Sequence, residues 1–264
     1  MNATALSSRA HEPILTVSAL NKHFGGVKAL DGIDLEVLPG EILGIIGPNG
    51  AGKTALINTI TGFYRATSGH IQLGDEDITH LPMHQIGRLG IGRTFQNIRL
   101  FKRMSVLENV LVASKAFAEQ PLRSLWASRH RKVAMDAAMH WLTLLQLDDK
   151  ANQSAASLSY GDARRLEIAR ALAGAPKLLL LDEPAAGMNE SETQQLIHDV
   201  QKIRSSVGAI MLIEHDMNLI RQLSDRILAM DYGKKIAQGD ADVVLNHPEV
   251  LRAYLGIEPE EASV

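Results

Sequence analysis

The run Gly47-Pro-Asn-Gly-Ala-Gly-Lys-Thr54 fits the spacing G-x-x-x-x-G-K-[ST]. Glycines at 47, 50 and 52 let the backbone curl around a phosphate with its N–H groups inward. Lys53 supplies a point charge to the terminal phosphates of a nucleotide, and Thr54 a hydroxyl to a magnesium ion. Chance alone gives such a pattern in roughly one chain in a hundred of this length at ordinary residue usage, so its surroundings must decide. They do: EILGIIG before it reads as a buried strand, and ALINTITG after it as a helix.

A magnesium nucleotide needs a carboxylate at the end of a neighbouring buried strand, and KLLLLDEP offers Asp182 after four leucines. Glu183 follows just past the strand end, where a carboxylate can polarise a water for attack on the terminal phosphorus. MLIEHD delivers His215. A lone histidine there is usually a strand-terminal surface residue, but the carboxyl edge of an open α/β sheet is where ligands sit, which favours contact with a terminal phosphate. Gln96, in RTFQNIRLF, is by itself an unremarkable loop amide.

LSYGD, residues 158–162, precedes ARRLEIARALAG, whose Leu166, Ala169, Leu172 and Ala173 form one apolar stripe and which stops at Gly174 with Pro176 beyond. The free N–H groups and dipole at that helix start make an anion site around Ser159, Tyr160 and Gly161. Gly161 is expected one residue short of the helix, holding space open.

These groups need elements to position them. From Ile14 to Leu38, apolar alternation broken by Gly and Asp predicts two or three antiparallel strands. Between Arg99 and Ala156 helix formers take over, including MSVLENVLVASKAFAEQ and RKVAMDAAMHWLTLLQL. After LSYGD, strand and helix alternate through KLLLLD, ESETQQLIHDVQKIRSS, GAIMLIEH and DMNLIRQLSD, the rhythm of a parallel sheet with helical crossovers. RILAMDYGKKIAQG predicts a closing hairpin and DADVVLNHPEVLRAYLG a terminal helix.

With 264 residues, 45% hydrophobic and 22% charged, the chain has the composition of a globular protein with a sizeable core. No apolar run approaches the roughly 18 residues of a membrane span. The first dozen residues carry no apolar block, so no secretory leader is expected and the chain is expected to stay in the cytosol. The absence of cysteine removes disulfides and thiolate nucleophiles. A net charge of −3 gives no field for nucleic acid, and SRHRK at 128–132 is most simply a solvated helix face, with lipid headgroups or a partner as the alternative it could meet.

The phosphate loop, Gln96, LSYGD, LLLLDEP and EHD, in that order, resemble the nucleotide-binding subunits of ATP-binding cassette (ABC) transporters over nearly the whole chain. FGGVKAL, GFY, RTFQNIRLF, DEPAAGMN and RAYLG look more narrowly like the LivG-type ATPases of branched-chain amino acid importers. The resemblance implies an α/β P-loop NTPase (RecA-like) core with an antiparallel β subdomain and an inserted α-helical subdomain. Its expected bounds are one cassette at 13–257, the helical insert at about 97–172, and flexible ends at 1–12 and 258–264.

It further implies ATP and Mg2+ as ligands. Residues Gly47, Pro48, Asn49, Gly50, Ala51, Gly52, Lys53, Thr54 and Ala55 would cradle the phosphates, and Phe24 would stack on adenine. Thr54, Gln96 and Asp182 would serve the metal, and Glu183, His215 and Gln96 the hydrolysis. Ser159, Tyr160, Gly161, Asp162 and Asn189 would meet the nucleotide of a second cassette, in a homodimer or a heterodimer with a paralogue packed head to tail. Implied partners are transmembrane permease subunits and a periplasmic or extracellular solute-binding protein. The implied place is peripheral, on the cytoplasmic face of the cell membrane, and no nucleic acid is expected. Leu100, Phe101 and Met104 offer either permease contacts or subdomain core.

Three positions depart from the wider family. Ala55 lacks a second hydroxyl, at a cost of about 0.5 to 1.5 kcal/mol. Asp162 replaces glutamine and is expected to repel an incoming phosphate by roughly 0.5 to 2 kcal/mol at about 8 Å. Asn189 stands where many relatives carry aspartate. A GTPase would want N-K-x-D after the loop, whereas Asn21-Lys22 precedes it and continues with His23 and Phe24. Non-transport ABC proteins generally carry two cassettes or long coiled insertions. Urea or amide importers and the lipopolysaccharide exporter ATPase remain close alternatives for the cargo.

Overall fold

A computed structural model describes residues 12–114 and 128–255. The chain runs β1 (Leu15–Phe24), β2 (Val27–Val37), β3 (Ile42–Ile46), α1 (Lys53–Ile60), β4 (Ser68–Leu73), β5 (Glu76–Asp77), α2 (Met83–Leu89) and β6 (Ile91–Arg93). It continues through α3 (Val106–Leu111), α4 (Ser128–Leu144), two 3-10 turns (Asp148–Lys150 and Ala155–Ser157), α5 (Tyr160–Leu172), β7 (Leu178–Asp182) and α6 (Glu190–Arg204). Last come β8 (Ala209–Ile213), α7 (Met217–Leu223), β9 (Arg226–Asp231), β10 (Lys234–Asp240), α8 (Ala241–Leu245) and α9 (Pro248–Leu255).

Every residue of β3, β7 and β8 is buried, the signature of strands covered on both faces. They form a six-stranded sheet in the order β10-β9-β3-β8-β7-β6, parallel except for the β9–β10 hairpin at its edge. Side chains alternate between its faces. Leu179, Leu181, Ile210 and Leu212 join the helical core with Leu166, Ala169 and Leu172 of α5. Leu178, Leu180, Met211 and Ile213 join Leu15, Leu20, Leu56 and Ile60 beneath the second sheet. That sheet has four strands, β2-β1-β4-β5, all antiparallel. The α/β core, antiparallel β layer and helical block thus agree with expectation.

Several details differ. The segment from 65 to 95 supplies β4, β5, α2 and β6, whose short, polar or glycine-broken runs carry little periodicity. The terminal helix is two helices, because Pro248 has no N–H to continue α8 and instead starts α9. Gly161 lies inside the first turn of α5, which begins after Ser159 rather than after Asp162. Within MSVLENVLVASKAFAEQ only Val106–Leu111 is seen as helix, and residues 115–120 fall outside the described residues. Among the described residues no helix is long and apolar enough to cross a membrane.

Candidate functional site: a phosphate cradle at the carboxyl edge of the sheet

The loop from Gly47 to Gly52 joins the carboxyl end of β3 to the start of α1. Gly47, Gly50 and Gly52 have φ of 152°, 86° and 102°, open to glycine and strained for other residues. The amides of Gly50 and Gly52 donate to no protein oxygen among the described residues, so two N–H groups stand free at the start of a helix. Lys53 is 6% exposed and its Nζ donates to the carbonyls of Gly47 (2.5 Å) and Pro48 (3.1 Å). Burial pulls its pKa down, opposed by the charges of Glu183 and Asp182.

Asp182 ends β7 and is 4% exposed. Its Oδ2 accepts from Arg93 Nη2 at 2.8 Å, and Arg93 Nη1 donates to Asn58 Oδ1 (2.7 Å) and Thr61 Oγ1 (3.2 Å). One guanidinium thereby ties the strand-end carboxylate to the helix after the phosphate loop. Among the described residues no group of three or more His, Cys, Asp and Glu side chains is arranged to hold a metal ion by itself. The exposed Thr54 and the Asp182 carboxylate offer hard oxygens of the kind that suits an ion keeping most of its shell as water and phosphate, as magnesium does.

Glu183 sits one residue past Asp182 with φ of 48°, a left-handed conformation costing a non-glycine residue about 1 to 2 kcal/mol. Its N–H donates to Ile213 O at 2.9 Å, so the end of β8 holds the bend. Its carboxylate is flanked on both oxygens: Gln96 Nε2 donates to Oε2 at 2.6 Å, and His215 Nε2 lies 2.7 Å from Oε1. Three residues far apart in sequence therefore meet, with Glu183 at the middle. Beside them Glu214, 4% exposed, accepts from the backbone N–H of Ala185 (2.7 Å) and of His215 (3.1 Å). Burial pushes its pKa up against those two bonds.

At the start of α5, Ser159 Oγ accepts the Asp162 N–H at 3.2 Å, and Tyr160 Oη donates to Ala186 O at 2.7 Å. A Cβ on Gly161 would come within 3.1 Å of Glu192 Oε1, so inside this chain the bare glycine makes room for that carboxylate. Glu192 in turn closes a capping box with Asn189, whose Oδ1 accepts the Glu192 N–H at 3.0 Å. Asn189 thus spends its side chain as the N-cap of α6.

Asp162 is not a bare charge. Its Oδ2 accepts from Lys150 Nζ and its Oδ1 from Arg165 Nη2, both at 2.6 Å. Burial works against ionisation, but the bonds from Lys150 and Ser159 and the charge of Arg165 outweigh it and hold the carboxyl below its usual range. The expected repulsion of an incoming phosphate is therefore corrected: two cations neutralise Asp162 in place.

Phe24 closes β1 with 44% exposure, edge-on to Tyr64 at 5.0 Å, with Lys22 Nζ 4.6 Å above its ring. Ala55 packs against the lower core. The apolar trio divides: Leu100 packs on the helical core, Phe101 is 52% exposed, and Met104 is partly buried. Sequence reasoning missed Arg93 and Glu214, and also Arg164, which donates to Gln96 O at 2.7 Å, its partner Glu167 at 2.7 Å, and Tyr254, whose hydroxyl accepts the Gly47 N–H at 2.7 Å. The nearest signals were the placing of Arg93 three residues before Gln96 and the apolar neighbourhood of Arg164 and Glu167, which a period count treats as solvent positions.

The profile of the ABC transporter family matches residues 30–186, and that of the branched-chain amino acid ATP-binding cassette transporters matches residues 234–259. The chain is 45% identical over 250 residues to the high-affinity branched-chain amino acid transport ATP-binding protein BraF of Pseudomonas aeruginosa, covering 92% of this chain and 98% of that one. It is 45% identical over 251 residues to LivG of Escherichia coli, covering 93% and 98%. A crystal structure of the ADP conformation of an ATP-binding cassette of an ABC transporter superposes with a TM-score of 0.82 at 34% identity, covering 93% of this chain and 99% of that one. The chain therefore belongs to the ABC transporter family, among the ATP-binding proteins of branched-chain amino acid transport.

Proposed function

We propose that this chain is the ATP-hydrolysing subunit of an importer that carries branched-chain amino acids through separate permease subunits at the cytoplasmic face of the cell membrane, served by a solute-binding protein on the other side. The observation that carries the catalytic part is the flanking of Glu183 by Gln96 and His215 at 2.6 and 2.7 Å, beside the buried Lys53. The loop from Gly47 to Ala55, Pro48, Asn49 and Ala51 included, would hold ATP. Thr54, Asp182 and Gln96 would hold its magnesium, which supplies charge neutralisation on the phosphates when bound.

In this reading Glu183 takes a proton from the attacking water, and His215 orients the water and the terminal phosphate. Phe24 stacks on adenine. Among the described residues no hydrogen bond or ion pair joins Ser159, Tyr160 or Gly161 to the phosphate loop, which supports their serving the nucleotide of a second cassette, a copy or a paralogue. Asp162 and Asn189 then hold that face in shape from behind. A phosphate shared between two chains favours only the closed pair, and its removal reopens it.

The test is Glu183→Gln. It should keep ATP binding while cutting turnover about 100-fold or more. Wild-type specific activity should fall on dilution as pairs dissociate. Near-normal hydrolysis by the variant removes Glu183 from the chemistry, and dilution-independent activity removes the shared site. Growth on, or uptake of, labelled leucine in cells lacking the chain tests the cargo.

A further inference from the structure

The backbone ladder of β3 ends where the phosphate loop begins. Ile45 pairs with Ile213 of β8 and Ile46 with Ala229 of β9, and the buried Gly47 is the first residue past both partners. A buried N–H at that point still needs an acceptor. It donates to Tyr254 Oη at 2.7 Å, across 207 residues of sequence. Tyr254 lies near the end of α9, a helix anchored in the helical core by Val250, which is 2% exposed.

The Gly47 peptide is gripped on both sides, its N–H by Tyr254 and its carbonyl oxygen by Lys53 Nζ. Its φ of 152° is a conformation few residues adopt, and a Cβ there would drive into the Met230 carbonyl and come within 2.9 Å of Ala51 Cβ. A second contact from the same end of the chain braces the loop, the Gly233 N–H donating to Ala51 O at 2.9 Å. The loop entrance is therefore shaped by the β9–β10 connection and α9, neither of which is part of the phosphate cradle.

We propose that Tyr254 is a positioning residue for nucleotide binding: its hydroxyl fixes the Gly47 peptide, and through it the direction in which the loop presents its amides and Lys53. Tyr254 as a whole is 37% exposed, yet burial of its phenol pushes the pKa up against the pull of the Gly47 N–H, and the oxygen accepts that N–H through a lone pair. Loss of the hydroxyl leaves a buried donor unpaired and lets the loop entrance sample other orientations. The amides are then no longer aligned before the phosphates arrive.

The experiment uses the full chain with ADP and magnesium as the probe. Tyr254→Phe keeps the ring and removes one atom, and titration calorimetry should show affinity weakened about tenfold. In the nucleotide-free chain, hydrogen exchange should show the Gly47 amide protected like the β3 amides in wild type and exposed in the variant. If the variant melts earlier but binds ADP with wild-type affinity, the tyrosine is a structural plug only and the proposal fails. If the variant does not fold, wild-type exchange alone decides: an unprotected Gly47 amide overturns the assignment. Tyr254→Leu binding ten times more weakly while Tyr254→Phe matches wild type would put the effect in the ring and equally overturn it.

Discussion

The guanidinium of Arg164 donates to the backbone carbonyl of Gln96 at 2.7 Å, joining the helix capped by Ser159 to the loop whose side-chain amide touches Glu183. The same side chain donates to Phe95 O (2.6 Å) and to Glu167 Oε2 (2.7 Å), and Glu167 Oε1 accepts the Arg99 N–H at 3.3 Å. Arg164 is 0% and Glu167 1% exposed. Burial pushes the Glu167 pKa up, and Arg164 is the first charge opposing that shift.

Removing the arginine takes the paired charge from that buried carboxylate, leaving it the Arg99 N–H and the charge of Arg170. Arg164→Ala should therefore cost about 3 to 5 kcal/mol in urea unfolding. Arg164→Lys should recover only a small part, since an ammonium cannot fork across three acceptors. A midpoint near wild type for the alanine variant would show that the pair does not hold the Gln96 loop.

Asp162 gives a prediction with a defined pH sign. Its folded pKa is depressed below the ordinary value of 3.8, so its pairing with Lys150 and Arg165 contributes stability that is present above about pH 4 and lost as pH falls through the folded value. Asp162→Asn should be less stable than wild type by about 2 kcal/mol at pH 7. The difference should shrink toward zero as the pH drops below 3.8. Chemical denaturation of both proteins from pH 7 down to the acid limit measures it, and a gap that stays constant with pH would mean the carboxylate charge is not what stabilises the turn.

Leu100 and Phe101 are neighbours with opposite surroundings. Leu100 packs on the helical core, whereas Phe101 is 52% exposed with Arg170 5.7 Å from its ring. The backbone of Phe101 is held independently of its ring, its N–H and carbonyl both bonded by the buried Asn109. Leu100→Ala should cost about 2 kcal/mol, and Phe101→Ala less than about 0.5 kcal/mol. Phe101→Ala should leave the ATPase activity of the isolated chain intact but lower transport-coupled turnover in the assembled complex. Equal destabilisation by both would place the phenylalanine in the core after all.

Glu183 shows how far local text carries. KLLLLDEP names it as a carboxylate at the end of a buried strand, since unbroken apolar runs state burial on both faces by themselves. The φ of 48° and the two partners from residues 96 and 215 do not follow from any local pattern, because the sheet order β3-β8-β7-β6 decides which strand ends are neighbours. Asp162 makes the complementary point. Its type and its place at a helix start were legible, but its charge balance was not, since Lys150 arrives from a 3-10 turn twelve residues earlier.

What the sequence determined alone was chemistry carried by short contiguous runs: the glycine-rich loop with its lysine, the strand-end carboxylates, the apolar stripe of α5. Each is encoded within one or two turns or a single strand, so spacing is enough to read it. Only the tertiary structure decided which of those runs share an acceptor or a charge. Arg93 on Asp182, Arg164 on Gln96 and Tyr254 on Gly47 are separated by 89, 68 and 207 residues, and such pairs exist only once packing has brought their elements together. A buried polar group must find its partner wherever the fold places one, and sequence distance leaves no trace of that requirement.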